Sequence, residues 1–135
     1  MGYSTRIRRV VFDTSILLLL YDSVPVFDEV SRVLESLPEC IVTKQVLLEL
    51  EKIARSSISE KKRAARLALE AIEKHKCKVV EVGGRDADES IIEYVLSDRE
   101  AIAATADREL RRKLRKKGIP SIYYRESMHG LMLEG

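Results

Sequence analysis

The sequence predicts an α/β fold, a three-layer α/β/α sandwich around a central five-stranded parallel sheet. Three observations predict it. Short apolar runs alternate with longer segments of helical period along the chain. The breakers Pro25, Pro38, Gly83 with Gly84, and Gly118 with Pro120 fall between those segments. The 135 residues suffice for one ordinary core and not for two, so 1–135 reads as a single domain. Strands that alternate with helices pair in parallel through right-handed crossovers, which sets helices on the sheet's faces.

The first strand is Ile7 to Phe12, and its Val10-Val11-Phe12 end suits a strand buried on both faces. Helices follow to about Ser36, and Cys40 to Val42 is the second strand. Helical period then runs to about His75, opening with Lys44 to Ala54, where Val46, Leu50 and Ile53 recur on one side. The rest reads as a strand at Val79 to Val82, a helix at Asp86 to Ser97, a strand at Ala101 to Thr105, a helix at Arg108 to Lys117 and a strand at Ser121 to Tyr124. The tail offers only a short closing strand around Leu131 to Leu133.

Composition excludes several classes. Hydrophobic residues at 45% and charged residues at 34% are a globular balance, neither disordered nor fibrous. The apolar run Ile16 to Leu20 is far shorter than the roughly 20 residues a bilayer span needs. No small-residue cleavage site follows it and Asp13 interrupts the region, so a cytoplasmic protein is expected, with no membrane partner. The absence of Asn and the single Gln, beside abundant Lys, Arg and Glu, is a bias associated with thermophiles. Cys40 and Cys77 share no zinc-ligand spacing with each other or with His75 and His129. They read either as reduced thiols or, should their strands be neighbours, as a disulfide.

In open sheets of this kind ligands bind beyond the carboxyl ends of the strands, where strand order reverses. Four carboxylates belong near those ends. Asp13 closes the first strand, where it is either a helix cap or a ligand at the rim of the core, and Ser15 could do the capping instead. Glu49 flanks the buried stripe of its helix, near Val46 and Ile53. Asp88 falls at the centre of the apolar face that Ile91, Ile92 and Val95 define, where an unpaired charge would cost several kcal/mol. Its neighbours Asp86 and Glu89 have the spacing of a capping box. Asp107 opens the last helix, either as its cap or as a fourth ligand.

If the four converge, each close pair repels by about 4 kcal/mol at ~4 Å with an effective dielectric near 20. Cations must then lie between them. An all-oxygen set suits hard ions, so Mg²⁺ or Mn²⁺ is expected, and such a site does phosphoryl chemistry on phosphodiesters. Substrate class comes from the basic helix. Arg108, Arg111, Arg112, Arg115 and Lys116 form one stripe that starts beside Asp107, suited to a nucleic-acid backbone. A merely solvated face is the alternative, and is preferred for the second basic stretch, Lys61, Lys62, Arg63 and Arg66.

Four segments, Val10-Val11-Phe12-Asp13-Thr14-Ser15, Val46-Leu47-Leu48-Glu49-Leu50, Ala87-Asp88-Glu89-Ser90-Ile91-Ile92 and Ala104-Thr105-Ala106-Asp107-Arg108-Glu109-Leu110, resemble in order and spacing the acidic motifs of PIN-domain nucleases. The last two, with Arg111 to Lys117 and Gly118 to Tyr124, look most like the PIN proteins that process small-subunit ribosomal RNA, and toxins of the VapC type are the nearest rival. The resemblance implies a strand order of 3-2-1-4-5 and endonucleolytic cleavage of RNA. It implies Asp13, Glu49, Asp88 and Asp107 as metal ligands, and Thr105 as the residue orienting a carboxylate or the water on the metal. Expected partners are RNA, which is pre-rRNA on the first reading, with ribosome-assembly factors or an antitoxin, and a second copy of the chain, since PIN proteins often pair. At Glu89 the rRNA-processing group tends to have a second Asp, so Glu89 reads either as a ligand or as a cap.

Rivals fit less well. A response-regulator receiver needs an acidic pair after the first strand, and Thr14 and Ser15 stand there. A haloacid-type phosphatase needs a second Asp at the position of Ser15, and no phosphate-binding Gly-rich loop exists. A PIN module that binds RNA or an assembly partner without cutting is the alternative from a different class; presence of all four carboxylates argues against it.

Overall fold

In the computed structural model, which describes residues 6–134, the apolar segment Arg9–Phe12 forms β1 at the centre of a sheet. It is hydrogen-bonded in parallel to β2 (Glu39–Thr43) on one side and to β4 (Ala101–Thr105) on the other. Both edges of β1 are therefore paired, and Val10, Val11 and Phe12, which point to both faces, are buried. Next to β2 lies β3 (Lys78–Val80), and next to β4 lies β5 (Ser121–Arg125), both parallel. The order is β3-β2-β1-β4-β5-β6.

The five parallel strands stand in the expected order 3-2-1-4-5, and the closing strand expected around Leu131 to Leu133 extends the sheet to six. After β5 the chain turns back through a 3-10 turn at Glu126–Met128 and His129, whose φ of 49° lies in the left-handed region. Such a tight reversal leaves no room for a crossover, so β6 (Gly130–Glu134) pairs antiparallel with β5. Side chains of an early helix hold it there. Glu29 accepts from the Leu131 backbone N–H at 3.0 Å, and Arg32 donates to the Leu131 carbonyl at 2.8 Å.

The connections are helical. α1 (Thr14–Leu17), a 3-10 turn at Leu18–Asp22 and α2 (Val26–Leu34) link β1 to β2, while α3 (Lys44–Ala54) and α4 (Ser59–Lys74) link β2 to β3. α5 (Ala87–Ser97) and α6 (Arg108–Lys116) follow β3 and β4. Right-handed crossovers from a strand order that reverses at β1 put the first four on one face and the last two on the other. Val46 and Leu50 of α3, Ile91 of α5, and Leu110 and Leu114 of α6 supply the buried stripes. Among the described residues no helix is long and apolar enough to cross a membrane.

Strand β3 ends at Val80, short of the expected Val82. The reason is Gln45, whose side-chain amide donates to the carbonyls of Val82, Gly83 and Gly84 and draws that segment off the sheet. Gly84 is required in this turn: its φ is +106°, and a Cβ would stand 2.7 Å from the Ser90 nitrogen. The turn delivers the chain to Asp86 at the start of α5.

At the amino ends of the strands Ile41 is in register with Lys78, which places Cys40 beside Cys77. They form a disulfide with a Cα separation of 4.6 Å, so the reduced-thiol alternative is set aside. Arg9 lies at the same end, bonded to Asp98 (2.6 Å), Glu100 (2.9 Å) and Glu39 (3.4 Å).

Candidate active site

Asp13 leaves β1 with its backbone N–H donating to the Ala104 carbonyl at 2.9 Å, which ties the carboxyl ends of β1 and β4 together. Its side chain is buried, 3% exposed. One oxygen, Oδ2, accepts from Ser15 Oγ at 2.6 Å and from Thr105 Oγ1 at 2.9 Å. Those hydroxyls are themselves held: Ser15 Oγ accepts from the Ala106 N–H, and Thr105 Oγ1 accepts from the Asp107 N–H, both at 2.9 Å. Asp13 occupies the N-cap position of α1 without a side-chain capping bond. Ser15 does not cap either, contrary to expectation; its hydroxyl is spent on joining the loops after β1 and β4.

Burial pushes the Asp13 carboxyl above its usual range, the hydrogen bonds from Ser15 and Thr105 oppose that rise, and the charge of Asp88 adds to it. Asp88 projects from the first turn of α5 with 22% of its side chain exposed. Partial burial raises it, Lys113 of α6 at 3.4 Å draws it down, and the nearby charges of Asp107 and Asp86 raise it. Glu49 reaches in from the exposed side of α3, where its Oε1 accepts from Thr14 Oγ1 at 2.5 Å. Asp107 does two things at once, capping α6 through Oδ1, which accepts from the Glu109 N–H at 2.8 Å, and facing the other three carboxylates.

The structure brings all four together. Asp13, Glu49, Asp88 and Asp107 line one cleft of about 400 Å³, with Asp86 beside them. It lies beyond the carboxyl ends of β1 and β4, the point where strand order reverses. Among the described residues no three acidic, histidine or cysteine side chains stand close enough to form a ready cage for an ion. The arrangement nonetheless fits a hard cation. The buried Asp13 carboxylate accepts from neutral hydroxyl and backbone donors and forms no ion pair among the described residues, its neighbours are acidic, and every ligand atom of the set is oxygen.

Other expected residues divide. Asp86 is the N-cap of α5, accepting from the Glu89 N–H at 2.9 Å. Glu89 does not close the box: it reaches one residue further back, accepting from the Arg85 N–H at 3.0 Å and pairing with the Arg85 guanidinium at 2.9 Å, outside the cleft lining. On α6 Arg108 and Lys116 are exposed, and Arg112 pairs with Glu109. Arg111 and Arg115 are both tied to Glu134 of β6, at 2.6 and 3.3 Å.

Sequence reasoning missed Thr14, which holds Glu49, the bridging role of Ser15, and Lys113, the cation nearest Asp88. The adjacent hydroxyls after Asp13 were the available signal for the first two. Lys113 gives none, because its reach depends on α6 lying beside α5.

Fold and site together define an α/β protein with a carboxylate-lined cleft at its topological switch point. The chain belongs to the PIN-like family: a family model described as a PIN like domain matches residues 10–127. Ribonuclease VapC4 of Methanocaldococcus jannaschii is 31% identical over 124 residues, covering 90% of this chain and 93% of the relative. Ribonuclease VapC9 of Archaeoglobus fulgidus is 34% identical over 126 residues, covering 93% and 89%. Among solved structures the PIN domain endonuclease Utp24 matches with a TM-score of 0.72 at 24% identity, over 93% of this chain and 90% of that one, a likeness of fold.

Proposed function

We propose that this chain is a metal-dependent endoribonuclease of the cytoplasm that acts as a single catalytic domain. One observation carries the reading: four carboxylates from four separate segments share one cleft at the switch point, around a buried Asp13 that no cation among the described residues neutralises. The two full-length relatives named ribonucleases support RNA as the substrate.

Asp13, Glu49, Asp88 and Asp107 would hold Mg²⁺ or Mn²⁺. When bound, the ion supplies a nucleophile at neutral pH and offsets charge on the phosphate. The chain's own residues do the rest. Thr105 and Ser15 fix the Asp13 carboxylate in one orientation through hydroxyls that are themselves anchored to backbone. Thr14 steadies Glu49, and the Asp107 cap fixes the start of α6 against the cleft. Lys113 places one positive charge beside Asp88 at the cleft edge.

Within ribonucleases, the VapC relatives favour the toxin-type reading with an antitoxin as partner, and the resemblance of residues 87–92 and 104–124 favours pre-rRNA processing with assembly factors. Labelled RNA incubated with Mn²⁺ and either wild-type protein or the Asp13→Asn variant tests the common claim. Fragments from wild type alone, without 2′,3′-cyclic phosphate ends because water and not the 2′-hydroxyl attacks, support it. Equal product from both proteins, or none from either, removes it.

A further inference from the structure

A second cleft, of about 600 Å³, opens between the start of α6 and the carboxyl end of β5, and Asp107 lines both it and the acidic cleft. Three arginines line it, Arg108, Arg111 and Arg125, with Glu126 as a second carboxylate beside Asp107. Arg111 is fixed in place. Its guanidinium lies 3.5 Å from the centroid of the Tyr123 ring, and its Nε donates to Glu134 at 2.6 Å. Arg108 makes no ion pair with a carboxylate among the described residues, nor does Arg125, whose guanidinium donates to the Met132 sulfur at 3.5 Å.

We infer that this cleft is a nucleotide subsite for an unpaired RNA strand: a base stacks on the open face of the Arg111 guanidinium, and Arg108 and Arg125 hold the phosphate adjacent to the one being cut. The inference rests on the ribonuclease reading and assigns the residues that hold the nucleotide next to the cut. Bases splayed from a strand stack on guanidinium planes as well as on aromatic rings. Tyr123 has one face already covered by Arg111, so the plane presented to the cleft is the guanidinium's. With 27% of its side chain exposed and its orientation held by Glu134 and Tyr123, Arg111 loses little freedom on stacking. The other two arginines have donors to spare for a phosphate, which a planar fork contacts bidentately. Asp107 is the shared wall, so a strand whose phosphate sits at the carboxylates has its next nucleotide at this cleft. A base inside a duplex could not reach Arg111.

Binding of a short labelled single strand, followed by fluorescence anisotropy in the non-cutting Asp13→Asn background, tests the subsite. Adding Arg125→Ala weakens binding about tenfold and lowers the slope of log affinity against log salt by about 0.7, the value for one lost phosphate contact on a single strand. Arg111→Lys keeps the charge and the slope but loses the plane, and weakens binding about tenfold. Arg66→Ala, on the exposed side of α4, leaves binding unchanged, and the same RNA annealed to its complement binds more weakly. Unaltered binding by both cleft variants, an equal loss from Arg66→Ala, or a duplex bound as tightly as the single strand overturns the subsite. If the binding pattern holds while no protein cuts RNA, the ribonuclease reading falls and the RNA cleft stands.

Discussion

The two ends of the sheet carry charge in opposite ways. At the amino end Arg9 is surrounded by Asp98, Glu100 and Glu39, Tyr94 donates to Asp98 at 3.0 Å, and the Cys40–Cys77 disulfide joins β2 to β3. At the carboxyl end Asp13, Glu49, Asp88 and Asp107 meet with Lys113 as the nearest cation. At the amino end each of the three carboxylates is ion-paired with Arg9, whereas among the described residues only Asp88 of the four at the carboxyl end has an ion-pair partner, which leaves the rest for something else to neutralise. The difference separates an end built for stability from an end held at a cost to stability, which is how strain at functional sites is retained.

The largest expected effect falls at the unneutralised end. Asp13→Asn lowers RNA cleavage by more than about 100-fold, since even outer-shell partners of metal ligands cost ~10–100-fold, and Thr105→Val, which leaves Asp13 without its buried orienting hydroxyl, falls within that range. Initial rates at saturating Mn²⁺ measure both. Next comes the closed end. Replacing both cysteines by serine removes a link across 37 residues of sequence and lowers unfolding free energy by about 4 kcal/mol in urea titrations, on the chain-entropy account. The folded variant still cuts RNA, because the bridge lies at the opposite end of the strands from the cleft. Loss of cleavage in a fully folded double variant would break the division between the ends.

The two ends also titrate in opposite senses. Hydrogen bonding to Arg9 holds Asp98 below its usual value, so its stabilisation is present above the unfolded carboxylate range and is lost as pH falls through the lower, folded value. Asp13 is raised, so the native state binds its proton more tightly than the unfolded chain does. Stability from this group falls as pH rises from the usual carboxylate value through the raised one. Unfolding midpoints measured against pH without metal should therefore lose acid sensitivity in Asp98→Asn and gain stability toward neutral pH in Asp13→Asn. The smallest effect belongs to Lys113. Its removal takes away the one cation that draws Asp88 down and leaves that carboxyl higher still, moving the acid limb of the cleavage profile to higher pH.

Much of this was legible in the sequence because it depends on local periodicity. The alternation of apolar runs with helical segments yields the strand positions, β4 at Ala101–Thr105 included, and the angular position of Asp88 on its helix points to the cleft. What stayed hidden depends on long-range packing. The closing strand expected around Leu131 to Leu133 is β6, but no crossover helix precedes it, so alternation did not show its antiparallel pairing with β5 or the capture of Arg111 and Arg115 by Glu134. Gln45 shortens β3 from a helix that precedes it by more than thirty residues, a contact no pattern of period two or 3.6 encodes.

Thermal unfolding of wild type and Asp13→Asn, with and without Mn²⁺, tests the central claim most directly. Without metal the Asn variant unfolds at the higher temperature, because a buried charge is gone. With Mn²⁺ at about a hundredfold excess over its dissociation constant wild type gains ~2.7 kcal/mol, the variant gains far less, and the order reverses. A wild type that Mn²⁺ does not stabilise, or a variant stabilised equally, contradicts the account.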